Sequence, residues 1–188
     1  MISHGAIVLA AGTSRRLGQP KQQLQLDGQT LEVRACSLAA ATQPQELLLV
    51  RRPDDPAPLP ALPLQRIDAP PGGMGRSLAT AVGASRLNEG GWLVLLVDQP
   101  ALNLPHLQAL LAAWRVDPEY PVASAYAGQV GVPAMLPCRW RDRLLRLDGD
   151  EGARHWLRQE PGLTAIDAPE LAADIDQPKD WPGCDRGP

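Results

Sequence analysis

Cysteine and histidine are scarce in this chain of 188 residues. The three cysteines, Cys36, Cys138 and Cys184, are odd in number and far apart. No Cys-x-x-Cys pair exists, and the three histidines, His4, His106 and His155, have no metal-ligand spacing. A structural zinc site and a disulfide framework are therefore not expected. A reducing, cytoplasmic location is the expectation. Positive charge is also short. The 18 Lys+Arg stand against 21 Asp+Glu, a net charge of −3. That balance excludes a general nucleic-acid surface and a polybasic membrane surface. No run of about 18 apolar residues occurs, so no membrane-spanning helix is expected. Met1 to Gly5 lacks a basic leader region, so no secretory signal is expected. Phenylalanine is absent, and only Lys21 and Lys179 are lysines. Both scarcities are read as genome codon bias, while the 20 prolines are about twice the usual share.

What is present reads as an ordinary globular chain, 44% hydrophobic and 21% charged. Its length suits a single domain with one core. Residues 5–10 form a continuous apolar run, the mark of a strand buried on both faces. Thr30 is read as the N-cap of a helix to Ala41. Further strands are expected at 46–51, 64–68 and 92–97. Helices are expected at 76–87 and from the Asn103 cap to about Val116. Between residues 53 and 63 lie five prolines, read as an extended surface connection. Strands at 122–126 and 132–136, helices at 139–147 and 151–159, and a strand at 164–167 complete the reading. This alternation predicts an α/β fold, with a mostly parallel sheet covered by helices on both faces. Ligands in such sheets bind beyond the carboxyl ends of the strands. Three motifs fall there: the loop after the first strand, the glycine-rich Pro70–Gly75, and Asp98.

The first loop reads Leu9-Ala10-Ala11-Gly12-Thr13-Ser14-Arg15-Arg16-Leu17-Gly18-Gln19-Pro20-Lys21. It has neither the Walker A spacing nor the G-x-G-x-x-G turn. Gly12 permits close approach of backbone N–H groups to an anion. Arg16 offers a forked donor to phosphate oxygens, and Lys21 a point charge. Read from the residues alone, this is either a phosphate loop or a strand-to-loop turn with solvated arginines. Asp98, ending the apolar strand 92–97, is either a ligand for Mg²⁺ or a cap of the next turn. Ser77 is either a small donor and acceptor facing a ligand or an N-cap, and Asp176 precedes Pro178 in what reads as a turn. In Gly149-Asp150-Glu151-Gly152-Ala153-Arg154, Asp150 and Arg154 either meet a polar group or belong to a turn between helices. His106 and His155 are read as surface residues.

The first loop resembles the signature of nucleotidyltransferases with a three-layer Rossmann-like fold. The chain is most similar to their molybdenum cofactor cytidylyltransferase branch. The resemblance recurs in Gly73-Met74-Gly75-Arg76-Ser77-Leu78, Leu96-Val97-Asp98-Gln99-Pro100, Gly149 to Arg154, and Asp174-Ile175-Asp176-Gln177-Pro178. It implies a catalytic set of Arg16, Lys21 and Asp98. It implies nucleotide binding by Leu9, Ala10, Ala11, Gly12, Ser14, Gly75 and Ser77, and acceptor binding by Asp150 and Arg154. Asp98 and Asp176 would hold Mg²⁺. The nucleotide-binding half is expected at about 1–103, the acceptor half at about 104–182, and a tail at 183–188. The implied reaction is transfer of CMP from CTP to the phosphate of molybdopterin, releasing pyrophosphate. Ala11 favours a pyrimidine, because the guanylyl branch has glycine there. Implied partners are CTP, the molybdopterin-type acceptor and a molybdoenzyme or its chaperone, with no nucleic acid or membrane. One departure is Gly131-Val132-Pro133, where the family often has Gly-His-Pro. GTP use, another phosphorylated acceptor, and a non-catalytic cofactor maturation factor are the alternatives.

Overall fold

The computed structural model describes residues 2–12, 20–150 and 152–172. Along the chain come β1 (His4–Leu9), a small hairpin of β2 (Gln25–Leu26) and β3 (Gln29–Thr30), α1 (Leu31–Ala41), β4 (Leu47–Arg51) and β5 (Gln65–Asp68). Then follow α2 (Gly73–Ala84), β6 (Gly91–Leu96), α3 (Leu104–Trp114), β7 (Val122–Tyr126) and β8 (Gln129–Pro137). Finally come α4 (Arg141–Leu144), α5 (Arg154–Gln159) and β9 (Thr164–Asp167). The main sheet has seven strands in the order β5-β4-β1-β6-β8-β7-β9. Only β8 opposes its neighbours; the β5-β4-β1-β6 block and the β7–β9 pair are parallel. The expected α/β architecture is thus present.

Alternation along β1 shows how the layers are built. Ala6 and Val8 point into one apolar cluster with Ala35, Cys36 and Ala39 of α1 and Leu107, Leu110 and Trp114 of α3. Ile7 and Leu9 point into the other, with Leu78, Ala81 and Val82 of α2, Leu144 of α4 and Leu157 of α5. A strand with a helix layer on each side has no polar face, hence its continuous apolar run. In place of phenylalanine, Trp92, Trp114 and Trp140 supply the bulk, each at most 1% exposed.

Local caps act as the sequence indicates. The Thr30 hydroxyl accepts from Val33 N–H, and the Asn103 side chain accepts from His106 N–H. Helix α2 departs from expectation by starting at Gly73 rather than near Arg76, behind Gly72 at φ 148°. The expected helix 139–147 is a 3-10 turn at Cys138–Trp140 followed by α4, and the second helix begins at Arg154 rather than 151. Strand β8 starts three residues before the expected Val132, extending the hairpin with β7. Among the described residues, no helix is long and apolar enough to cross a membrane.

His106 corrects the sequence reading. It is 8% exposed rather than on the surface, because α3 lies against β7 and sets the ring 2.7 Å from Ser124 Oγ. Ser124 donates its proton to the Pro133 carbonyl, so His106 Nε2 is the donor to Ser124. His4 repeats this design. Thr42 donates to the Ala39 carbonyl and accepts from His4 Nε2 at 3.0 Å. Burial, aided by Arg115, lowers the His4 pKa from 6.5 to about 4. Its neutral form is the one that fits, so the unfolded chain binds the extra proton between those values. Stability is expected to hold above pH 6.5 and to fall by up to about 3 kcal/mol as pH drops towards 4. Urea midpoints from pH 7.5 to 4 check this, and His4→Gln should flatten the profile.

Candidate active site

Strands β1, β4, β5 and β6 all end on one edge of the sheet, because they are parallel. From β1 the chain moves outward to β4 and β5, then returns through α2 to β6 on the other side of β1. That reversal opens a crevice beyond the carboxyl end of β1. Ala10, Ala11 and Gly12 leave β1 there, and Val97 and Asp98 leave β6 beside them. Leu9 and Ala10 are buried, and Ala10 N–H donates to the Val50 carbonyl. Their side chains are core, and the Ala10 amide is already engaged. Ala11 is half-buried against the α2 side of the sheet, and Gly12 is exposed.

Lys21 arrives from the other direction, on a 3-10 turn at Lys21–Gln23. Its Nζ lies 3.3 Å from Asp98 Oδ2, across 77 residues of sequence. The two are 15% and 24% exposed, shielded from water but reachable by a small ligand. Among the described residues, the other oxygen, Asp98 Oδ1, is buried with no hydrogen-bond partner. A buried carboxylate oxygen left unmet is costly, so its presence at a strand end asks for a cation. The neighbouring Gln99 is held firmly. Its amide donates to the Val132 carbonyl at 2.9 Å and to the Tyr126 hydroxyl at 3.2 Å.

The second glycine loop and the Gly149 motif meet. Gly75 N–H donates to the Gly149 carbonyl at 2.9 Å, and Arg76 bridges Asp148 at 2.8 Å. Gly73 has φ 85°, and a Cβ there would strike the Asp150 carboxylate and the Gly149 carbonyl. Only glycine permits that approach. Ser77, 6% exposed, gives its proton to the Gly73 carbonyl within α2, so it does not cap the helix. Arg154 is exposed, with its guanidinium 3.6 Å from where a Gly131 Cβ would stand. An open cleft of about 530 Å³ is lined by Tyr126, Gln129, Arg158 and Asp167.

Lys21, Asp98, Ala11 and Gly12 are thus brought to one edge, with Gly75, Ser77, Asp150 and Arg154 on the path from α2 to the β7–β8 hairpin. Ser14, Arg16 and Asp176 lie outside the described residues. Sequence reading missed two residues behind this edge. Gln22, beside Lys21, donates to Asp55 Oδ2 at 3.1 Å, and Arg51 forks onto Glu32 of α1. Their partners are 33 and 19 residues away, so no local pattern reveals them. Cys36, between Glu32 and Arg51, has its thiol pushed up to about 12, mainly by burial. It is inert near neutral pH.

Known proteins are similar to this chain in sequence and in fold. The MobA-like NTP transferase domain family matches residues 6–165. Purine catabolism protein PucB of Bacillus subtilis is 32% identical over 194 aligned residues, covering 93% of this chain and 92% of that protein. A probable molybdenum cofactor guanylyltransferase of Synechococcus elongatus is 34% identical over 116 residues, covering 61% of this chain and 58% of that one. The crystal structure of Rv0371C of Mycobacterium tuberculosis in complex with manganese superposes with TM-score 0.77. It is 22% identical and covers 97% of both chains. Because the family match runs from the first strand of the sheet into the last, the chain belongs to the MobA-like NTP transferase family of nucleotidyltransferases.

Proposed function

We propose that the chain transfers CMP from CTP to the phosphate of a molybdopterin-type acceptor, releasing pyrophosphate, in the cytoplasm. The observation that carries this reading is the convergence of Lys21 and Asp98, 3.3 Å apart, beyond β1 and β6. The nucleotide is assigned to the half before about residue 103, and the acceptor to the half after it.

The residues fit a divalent cation. Asp98 presents one oxygen to Lys21 and one buried oxygen without a partner among the described residues. No cluster of three or more His, Cys, Asp or Glu suited to a metal occurs among the described residues. One or two carboxylates completed by substrate phosphate and water are what Mg²⁺ takes. Asp98, joined by Asp176, would hold it, and the manganese in the mycobacterial structure supports a cation on this fold. The bound cation supplies charge neutralisation at the phosphate oxygens.

The chain's own residues do the rest. Lys21, with Arg16, holds the β- and γ-phosphates and favours departure of pyrophosphate. The α2 N-terminus, tied down by Gly149, fixes the floor beneath the nucleotide. Gln99, braced by Tyr126 and Val132, keeps Asp98 from turning away. Asp150 and Arg154 receive the acceptor. A phosphate acceptor is already anionic near neutral pH and needs no general base. Positioning and charge therefore carry the rate.

Ala11 supports the choice of CTP through the resemblance, since the guanylyl branch has glycine there. A second reading, GTP, is favoured by the Synechococcus relative's name. Ala11→Gly is expected to move the CTP/GTP ratio of kcat/KM towards GTP by about tenfold. Pyrophosphate release with each nucleotide and purified molybdopterin checks it. An unmoved ratio assigns base choice elsewhere.

A further inference from the structure

The catalytic lysine stands on a turn of only three residues, which has little stiffness of its own. Successive side chains on a 3-10 turn diverge by about 120°. Lys21 therefore reaches towards Asp98 while Gln22 reaches back, and Gln22 is 6% exposed. Its Nε2 donates to Asp55 Oδ2 at 3.1 Å, and Asp55 is also 6% exposed. The other Asp55 oxygen accepts from Ala57 N–H at 3.0 Å. Burial works to raise the Asp55 pKa, but Ala57 N–H, the Gln22 amide, Arg51 and Arg66 outweigh it and leave it lowered. The proline-rich segment around Asp55 is braced from beneath. Arg51, 1% exposed, donates to the Ala57 and Pro58 carbonyls, and Arg66 donates to the Arg52 and Asp55 carbonyls. A surface connection with no helix or strand is thus pinned from β4 and β5, and it holds a single carboxylate still.

We propose that Gln22 and Asp55 are positioning residues, a buried strap that rotates the Lys21 turn so that the lysine faces Asp98. The strap explains why a proline-rich segment at the edge of the sheet engages two arginines through its carbonyls. Prolines stiffen the segment, and the arginines fix it to the sheet ends, so Asp55 shares the frame that carries Asp98. The proposal rests on the reading that Lys21 serves the nucleotide phosphates.

Three variants test it. Gln22→Glu sets a second carboxylate against Asp55 and breaks the strap by repulsion. The swap Gln22→Glu with Asp55→Asn restores it with donor and acceptor exchanged, and the oxygen of the introduced amide can still accept from Ala57 N–H. Lys21→Met probes the phosphate reading itself. Gln22→Glu is expected to lower kcat/KM for the nucleotide on the order of 10- to 100-fold. The swap should return it to within about threefold of the parent. A direct readout uses protein labelled with ¹³Cε-lysine, where only Lys21 and Lys179 give signals. The Lys21 signal, identified by its loss in Lys21→Met, should move towards the position of an unstructured lysine in Gln22→Glu and return in the swap. If Gln22→Glu does not fold, Gln22→Ala takes its place. A folded Gln22 variant with an unmoved Lys21 signal and parental kcat/KM overturns the strap. Undiminished turnover by Lys21→Met overturns the phosphate reading instead, and the lysine signal then still decides the strap.

Discussion

Asp98→Asn is expected to fold normally and to release pyrophosphate on the order of a hundred to a thousand times more slowly. The substitution keeps the side chain's shape and removes its charge. Three consequences follow at once. Lys21 loses its anionic partner at 3.3 Å. The buried Oδ1 position no longer offers a hard anionic oxygen to a cation. The charge that fixes the phosphates in line for attack is gone. Stability should move little. The Lys21–Asp98 pair is 15% and 24% exposed, and a buried carboxylate oxygen lacking a partner among the described residues is itself a cost. A site that holds an unmet charge trades stability for function. Steady-state kinetics beside a thermal melt checks both halves. A large fall in melting temperature would show Asp98 to be structural, and unchanged turnover would remove it from the chemistry.

Glu32→Ala is expected to cost about 3–5 kcal/mol of stability. Arg51 ends β4 at 1% exposure, and its guanidinium meets Glu32 through both Nε and Nη2. The fork contact with Glu32 holds the Arg51 pKa above its usual value against the opposing effect of burial. Its Nη1 and Nη2 also donate to the Ala57 and Pro58 carbonyls. Removing Glu32 leaves a charge in the core without its counter-ion, and the cost is far larger than for an exposed pair. A domain of this kind has only about 5–15 kcal/mol in total. Replacing both partners by apolar residues, Glu32→Leu with Arg51→Met, should recover much of the loss while freeing the proline-rich segment. Urea unfolding of the single and double variants measures this. The double variant should unfold later than Glu32→Ala yet turn over more slowly than the parent, because Asp55 and the Lys21 turn lose their brace.

Much of this architecture was legible in the residues. Apolar runs bounded by glycine and proline marked β1, β4 and β6, and Thr30 and Asn103 marked two helix starts through side chains that bond three residues ahead. The convergence of the first loop and Asp98 on one edge was legible by rule, since both follow strands that must share it, but the ion pair of Lys21 with Asp98 was not. What stayed hidden depends on non-local partners. Helix α2 begins early because the Gly149 carbonyl meets the Gly75 N–H and glycines adopt positive φ, features that no cap residue announces. His106 looked exposed at the first turn of its helix, yet the packing of α3 on β7 buries it against Ser124. Gln22 read as an ordinary polar residue until Asp55 stood beside it. Asp55 itself sat in a segment whose prolines suggested only a surface path. Arg16 and Asp176 remain expectations of the sequence alone.

On the proposed function, the chain cleaves a nucleoside triphosphate between its α- and β-phosphates and leaves the nucleotide on a phosphorylated acceptor. The most direct test is phosphorus NMR of the purified chain with CTP, Mg²⁺ and molybdopterin. Pyrophosphate is expected to appear together with a new phosphoanhydride joining CMP to the acceptor, and neither should form when acceptor or cation is left out. Release of inorganic phosphate from the γ-position, or no change in the spectrum with any nucleoside triphosphate, would contradict it.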